Sequence, residues 1–75
     1  MKIVARDGKT YEVKPAVGEA YDVWLEGELV AGFALEETDT RVTLHAAATG
    51  KTDRRVVLEV ANEFVDRGGA GMRIA

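Results

Sequence analysis

Two acid–glycine pairs, Asp7-Gly8 and Glu26-Gly27, each stand between runs in which apolar and polar residues alternate. Alternation at period two gathers the apolar side chains on one face of a strand. An acid followed by glycine supplies the backbone conformations that a tight hairpin needs. The first half of the chain is therefore committed to antiparallel hairpins.

In the first run Ile3 and Ala5 alternate with charged neighbours (apart from Val4), and Tyr11 and Val13 resume the pattern beyond the turn. A two-residue loop would set Ile3 against Glu12. A three-residue loop, Asp7-Gly8-Lys9, sets Ile3 against Val13 and Ala5 against Tyr11. The second register is expected, because a one-residue slip carries a strand's whole apolar set to the wrong face. Pro15 to Gly18 reads as a connection. Tyr21, Val23 and Leu25 then alternate up to Glu26-Gly27-Glu28, and Leu29, Ala31, Phe33 and Leu35 alternate back. Here too a three-residue loop aligns Leu25 with Leu29, Val23 with Ala31 and Tyr21 with Phe33. Thr38-Asp39-Thr40 is the next turn, and Val42, Leu44 and Ala46 mark a fifth strand.

From Asp53 the period lengthens. Val57, Val60, Ala61 and Phe64 fall at helical spacing, with Glu59, Asn62, Glu63 and Asp66 on the other side. Thr52 or Asp53 can cap the start, Gly68 can end the helix, and Arg67 suits the negative end of its dipole. The four valines oppose a helix, since β-branched side chains lose rotamer freedom there. Read as strand, residues 54–60 would pair back through Gly50-Lys51 and make the protein mostly β. The expected fold is α+β over residues 1–75: an antiparallel meander of five to six strands, one C-terminal helix packed on one face, and a short last strand at Met72–Ala75.

Composition narrows the chemistry. The chain has 75 residues, one histidine, no cysteine and no serine. Thiolate metal sites, disulfides and cysteine or serine nucleophiles are excluded together. A lone histidine builds no multi-histidine metal site. Threonine, lysine and carboxylates remain, a short list for an enzyme. No apolar run approaches a membrane span, and Met1–Asp7 is broken by charge too early for a secretory signal. With the absence of cysteine, these features set the expectation of a cytoplasmic protein without membrane attachment. Net charge is −3, and it is unevenly spread: between Lys14 and Arg41 there is no basic residue but there are seven acids. That asymmetry argues against a nucleic-acid-binding stripe.

His45-Ala-Ala-Ala-Thr-Gly-Lys-Thr52 comes within one glycine of the phosphate-loop signature, with His45 where the first glycine belongs. The large parallel sheet of that family does not fit in 75 residues. Gly50-Lys51-Thr52 is read as a strand-to-helix turn. Its free N–H groups, with Lys51, Arg54 and Arg55, form a candidate anion site. The text YDVWLEGELVAGFALEETDTRVTL, Tyr21 to Leu44, resembles the central hairpin of small GNAT-type acyl-CoA N-acyltransferases. The resemblance covers about a third of the chain. The family's Arg/Gln-x-x-Gly-x-Gly/Ala pyrophosphate loop is missing between Ala48 and Val56, and its first helices are missing too. It therefore implies, at most, a reduced acyl-CoA or phosphate-ligand protein using Thr49–Arg55, with no functional residue carried over.

His45 alternates onto the polar side of its strand and reads as an exposed histidine, with acid–base work as the alternative. Glu36, Glu37 and Asp39 read as a solvated rim without calcium-loop spacing. Gly68 to Gly71 reads as a helix stop and turn, an anion nest being the alternative. Trp24 stands apart. Val23 and Leu25 take the core face, which sends the indole to the opposite face, with Val30 as its expected cross-strand neighbour and Asp22, Glu26 and Glu28 as a rim. The bland reading packs Trp24 at a sheet edge or under residues 15–18. The functional reading is an anchor and rim for binding. The resulting expectation is a small module without catalytic activity, cofactor or metal. It would bind a basic protein partner, or a second copy, through the Trp24 face. Accessory or inhibitor proteins of bacteriophages and mobile elements share this size and lack of chemistry.

Overall fold

A computed structural model describes residues 1–37 and 42–69. The strands β1 (Lys2–Val4), β2 (Thr10–Pro15), β3 (Ala20–Leu25), β4 (Glu28–Glu37) and β5 (Val42–Ala48) precede one helix, α1 (Arg54–Asp66). They form one antiparallel sheet in the order β1-β2-β3-β4-β5, and α1 packs on it, an α+β fold. The expected turn at Thr38–Thr40 and the last strand at Met72–Ala75 lie outside the described residues.

The first hairpin keeps its faces but not its register. Ala5 donates to the Lys9 carbonyl (3.0 Å) and Gly8 donates to that of Ala5 (3.0 Å), so the three-residue loop is Arg6-Asp7-Gly8. Ile3 pairs with Tyr11 rather than with Val13. The loop starts one residue early because glycine must fill its last position, where φ is +80°. A one-residue move of the whole loop displaces the pairing by two residues, so Ile3, Ala5, Tyr11 and Val13 all stay buried.

The second hairpin departs further. Glu26 and Gly27 both adopt positive φ (51° and 79°), which makes a two-residue turn. Leu25 faces Glu28 and Trp24 faces Leu29, so the three-residue loop and the Leu25–Leu29 pair are corrected. A β-bulge then absorbs the extra residue, Val30, and restores Val23–Ala31 and Tyr21–Phe33 as the alternation required. Thr49 pins the bulge: its N–H (3.2 Å) and its hydroxyl (2.8 Å) both donate to the Val30 carbonyl.

Residues 54–60 are helical, so the mostly β alternative is set aside. Asp53 is the N-cap and accepts from the Arg55 N–H at 2.8 Å. Gly68, at φ +76°, donates to the Val65 carbonyl, and Gly69 donates to that of Phe64. This paired closure satisfies carbonyls that the helix end leaves open. Val57, Val60, Ala61, Phe64 and Val65 are buried against the sheet. The core is anchored by Tyr21, Phe33 and Phe64, whose ring centroids lie 4.7 to 5.7 Å apart. Two contacts tie α1 to β1 and its turn: the Arg67 guanidinium donates to the Lys2 carbonyl (3.1 Å), and the Arg6 N–H donates to Glu59 (2.9 Å).

Candidate functional site

With the core side of the sheet committed to α1, the other side is a face that no described element covers. The pairing registers lay its side chains out in rows. Lys2, Glu12, Trp24 and Leu29 run across β1 to β4, and Lys14, Asp22, Gly32 and Ala47 form a row across β2 to β5. Trp24 is half-buried in the first row. It lines a cleft of about 350 Å³ with Lys2, Thr10, Glu12, Lys14 and the Glu26-Gly27 turn. The Lys14 ammonium sits 5.1 Å from the centre of the indole ring, a cation–π contact. The indole Nε1 is buried and has no hydrogen-bond partner among the described residues. Leu29 (42% exposed) and Val4 (68%) extend the apolar surface.

Two residues expected on this face are elsewhere. Val30 is in the core at 2% exposure, because the bulge turns it and Ala31 to the same side. Leu29 takes its place beside Trp24. Glu28 pairs with Leu25 on the core side and its carboxylate engages Lys51 in an ion pair, so it is no rim residue. Asp22 and Glu26 do lie around Trp24. The rim is mixed in sign, since pairing sets Lys2 beside Glu12 and Lys14 beside Asp22. Sequence reasoning places neither lysine at Trp24. A signal exists in the charged residues that alternate through β1 and β2, but the register decides which of them meet the indole.

The turn before α1 brings Gly50, Lys51, Thr52, Arg54 and Arg55 together, with Gly50 at φ +92°. Two of its groups are engaged by acids: Lys51 by Glu28 and the Arg55 N–H by Asp53. An anion drawn to Lys51 competes there with the Glu28 carboxylate. His45 is exposed, and its Nε2 lies 2.9 Å from Glu36 on the outer face. Among the described residues no cluster of His, Asp and Glu could hold a metal ion, and no helix is long and apolar enough to cross a membrane. Asp39, Ala70 and Gly71 lie outside the described residues.

A polar cluster that the sequence did not announce joins the first turn to this region. The buried Tyr11 hydroxyl donates to Asp7 at 2.6 Å and lies 3.4 Å from the Thr52 hydroxyl. Tyr11 and the Lys9 N–H hold the Asp7 carboxyl below its ordinary value. Burial, then the Asp7 bond, pushes the Tyr11 phenol up. The Tyr11 hydroxyl is satisfied by Asp7 and Thr52, which fastens the first turn to the start of the helix. No family model, curated protein or solved structure matches the chain.

Proposed function

We propose that this protein is a non-catalytic interaction module that docks a protein partner on the open sheet face around Trp24. One observation carries the reading: a tryptophan set in a cleft on an uncovered sheet face. The indole is half-buried with its N–H turned inward, so the partner meets the apolar face of the ring rather than its N–H. Tryptophan with an apolar neighbour and a charged surround has the make-up of an interface anchor. Glu12, Asp22, Glu26 and Glu36 outnumber Lys2 and Lys14 on this face, which favours encounter with a basic partner.

The test begins with affinity capture from the native source, followed by titration of the captured partner. Trp24→Ala is expected to weaken binding by about 2 kcal/mol, roughly thirtyfold, with the fold intact. The single tryptophan also gives an intrinsic fluorescence signal that shifts as the partner covers it. An affinity indifferent to Trp24→Ala sinks the proposal.

A further inference from the structure

The two edges of the sheet are built differently. Antiparallel pairing lets each residue spend its N–H and C=O on one neighbouring strand only. Leu35 donates to Glu19 (3.3 Å) on the β3 side, and Thr49 donates to Val30 (3.2 Å) in the register of the β4–β5 pairs. It follows that Thr43, His45 and Ala47 bond to β4, while the amides and carbonyls of Leu44, Ala46 and Ala48 point away from the sheet. Among the described residues nothing pairs with them. The strand Val42–Ala48 contains no lysine, acid, proline or glycine, the devices that normally blunt an edge. β1 is blunted three ways. It has three residues, it carries Lys2, and its outward Lys2 carbonyl is taken by Arg67.

The core side of β5 is also unfinished. Leu44 and Ala46 are half-buried and Ala48 is exposed, whereas Ile3, Tyr11, Val13 and Val23 face the same side and are buried. We infer that β5 pairs antiparallel with β5 of a second copy, about a two-fold axis, joining two sheets into one. An identical strand is self-complementary under that symmetry. Centring the pair on Ala46 sets Leu44 over the exposed Ala48 of the other copy and keeps the two His45 rings apart. No acid then faces an acid. A foreign strand is the poorer occupant, since β5 carries no acid, lysine or arginine by which to select one. The inference is independent of the Trp24 proposal, because this pairing leaves the Trp24 face open in both copies.

Sedimentation equilibrium of the full chain tests it. The wild type is expected to dimerise with a dissociation constant below about 1 mM. Ala46→Pro deletes an outward N–H and leaves the β4 ladder whole. It is expected to weaken the dimer at least tenfold (about 1.4 kcal/mol). Amide exchange keeps the test decisive if that variant folds poorly: in the wild type the Leu44, Ala46 and Ala48 amides are expected to slow as concentration rises. A monomer throughout this range overturns the inference. So does a dimer whose three amides exchange as in the monomer, or one abolished by Trp24→Ala but not by Ala46→Pro.

Discussion

Glu26 is the one non-glycine residue with positive φ among those described. The left-handed region costs an L side chain roughly 1–2 kcal/mol, and asparagine tolerates it far better in a two-residue turn. Glu26→Asn is therefore expected to stabilise the fold by about 1 kcal/mol, read as a raised urea midpoint with unchanged slope. At Asp7 and Tyr11 the sign of the pH dependence follows from the shifts. A lowered carboxyl contributes stability above its unfolded value, near 3.9, and loses it as pH falls through the folded value. A raised phenol contributes below its unfolded value, near 10, and loses it as pH rises through the folded value. The stability advantage of wild type over Asp7→Asn should thus shrink below about pH 4. Wild type should lose stability relative to Tyr11→Phe above about pH 10. Urea midpoints across pH check both. Asp7-Gly8 was legible as a turn from its letters. The Tyr11 bond was not, because it depends on the loop beginning at Arg6.

At the scale of elements, α1 was legible because its apolar positions recur at helical spacing and Asp53 stands where a cap belongs. Its valines cost a few tenths of a kcal/mol each in propensity, against about 1.5–3 kcal/mol for burying such a side chain. Burial prevails, which is why the strand alternative fails. Asp53→Ala removes the cap and is expected to cost about 1 kcal/mol. The bulge in β4 was not legible. Leu29-Val30-Ala31 is a continuous apolar run, and alternation gives no sign of which residue is extra. The Glu26-Gly27 turn shortens the loop, and the valine enters the core. Thr49→Val keeps the N–H bond to the Val30 carbonyl but deletes the hydroxyl one. Its expected cost is about 1 kcal/mol, measured by chemical denaturation.

For the whole molecule, the aromatic cluster sets the scale of stability. A chain of this length is expected to have about 4–11 kcal/mol in total. Phe64→Ala removes the helix's contribution to the cluster at a cost of about 3–5 kcal/mol. A broadened or absent thermal transition is the expected result, and a sharp melt near wild type would contradict the packing described. By itself, the sequence determined the order of the strands, which residues β1 to β3 turn inward, and, once residues 54–60 are helical, where the helix begins and ends. Those properties are local: a period of two or 3.6 and the chemistry of a few turn residues decide them. Only the tertiary structure decided the count of residues between paired strands, and with it which side chains share a row. That placed Leu29 beside Trp24 in place of Val30, set Lys2 and Lys14 within an acidic surround, drew Glu28 away to Lys51, and left β5 with its edge unpaired. Such rows depend on hydrogen bonds and packing between segments far apart in the chain, which no periodicity within a segment records.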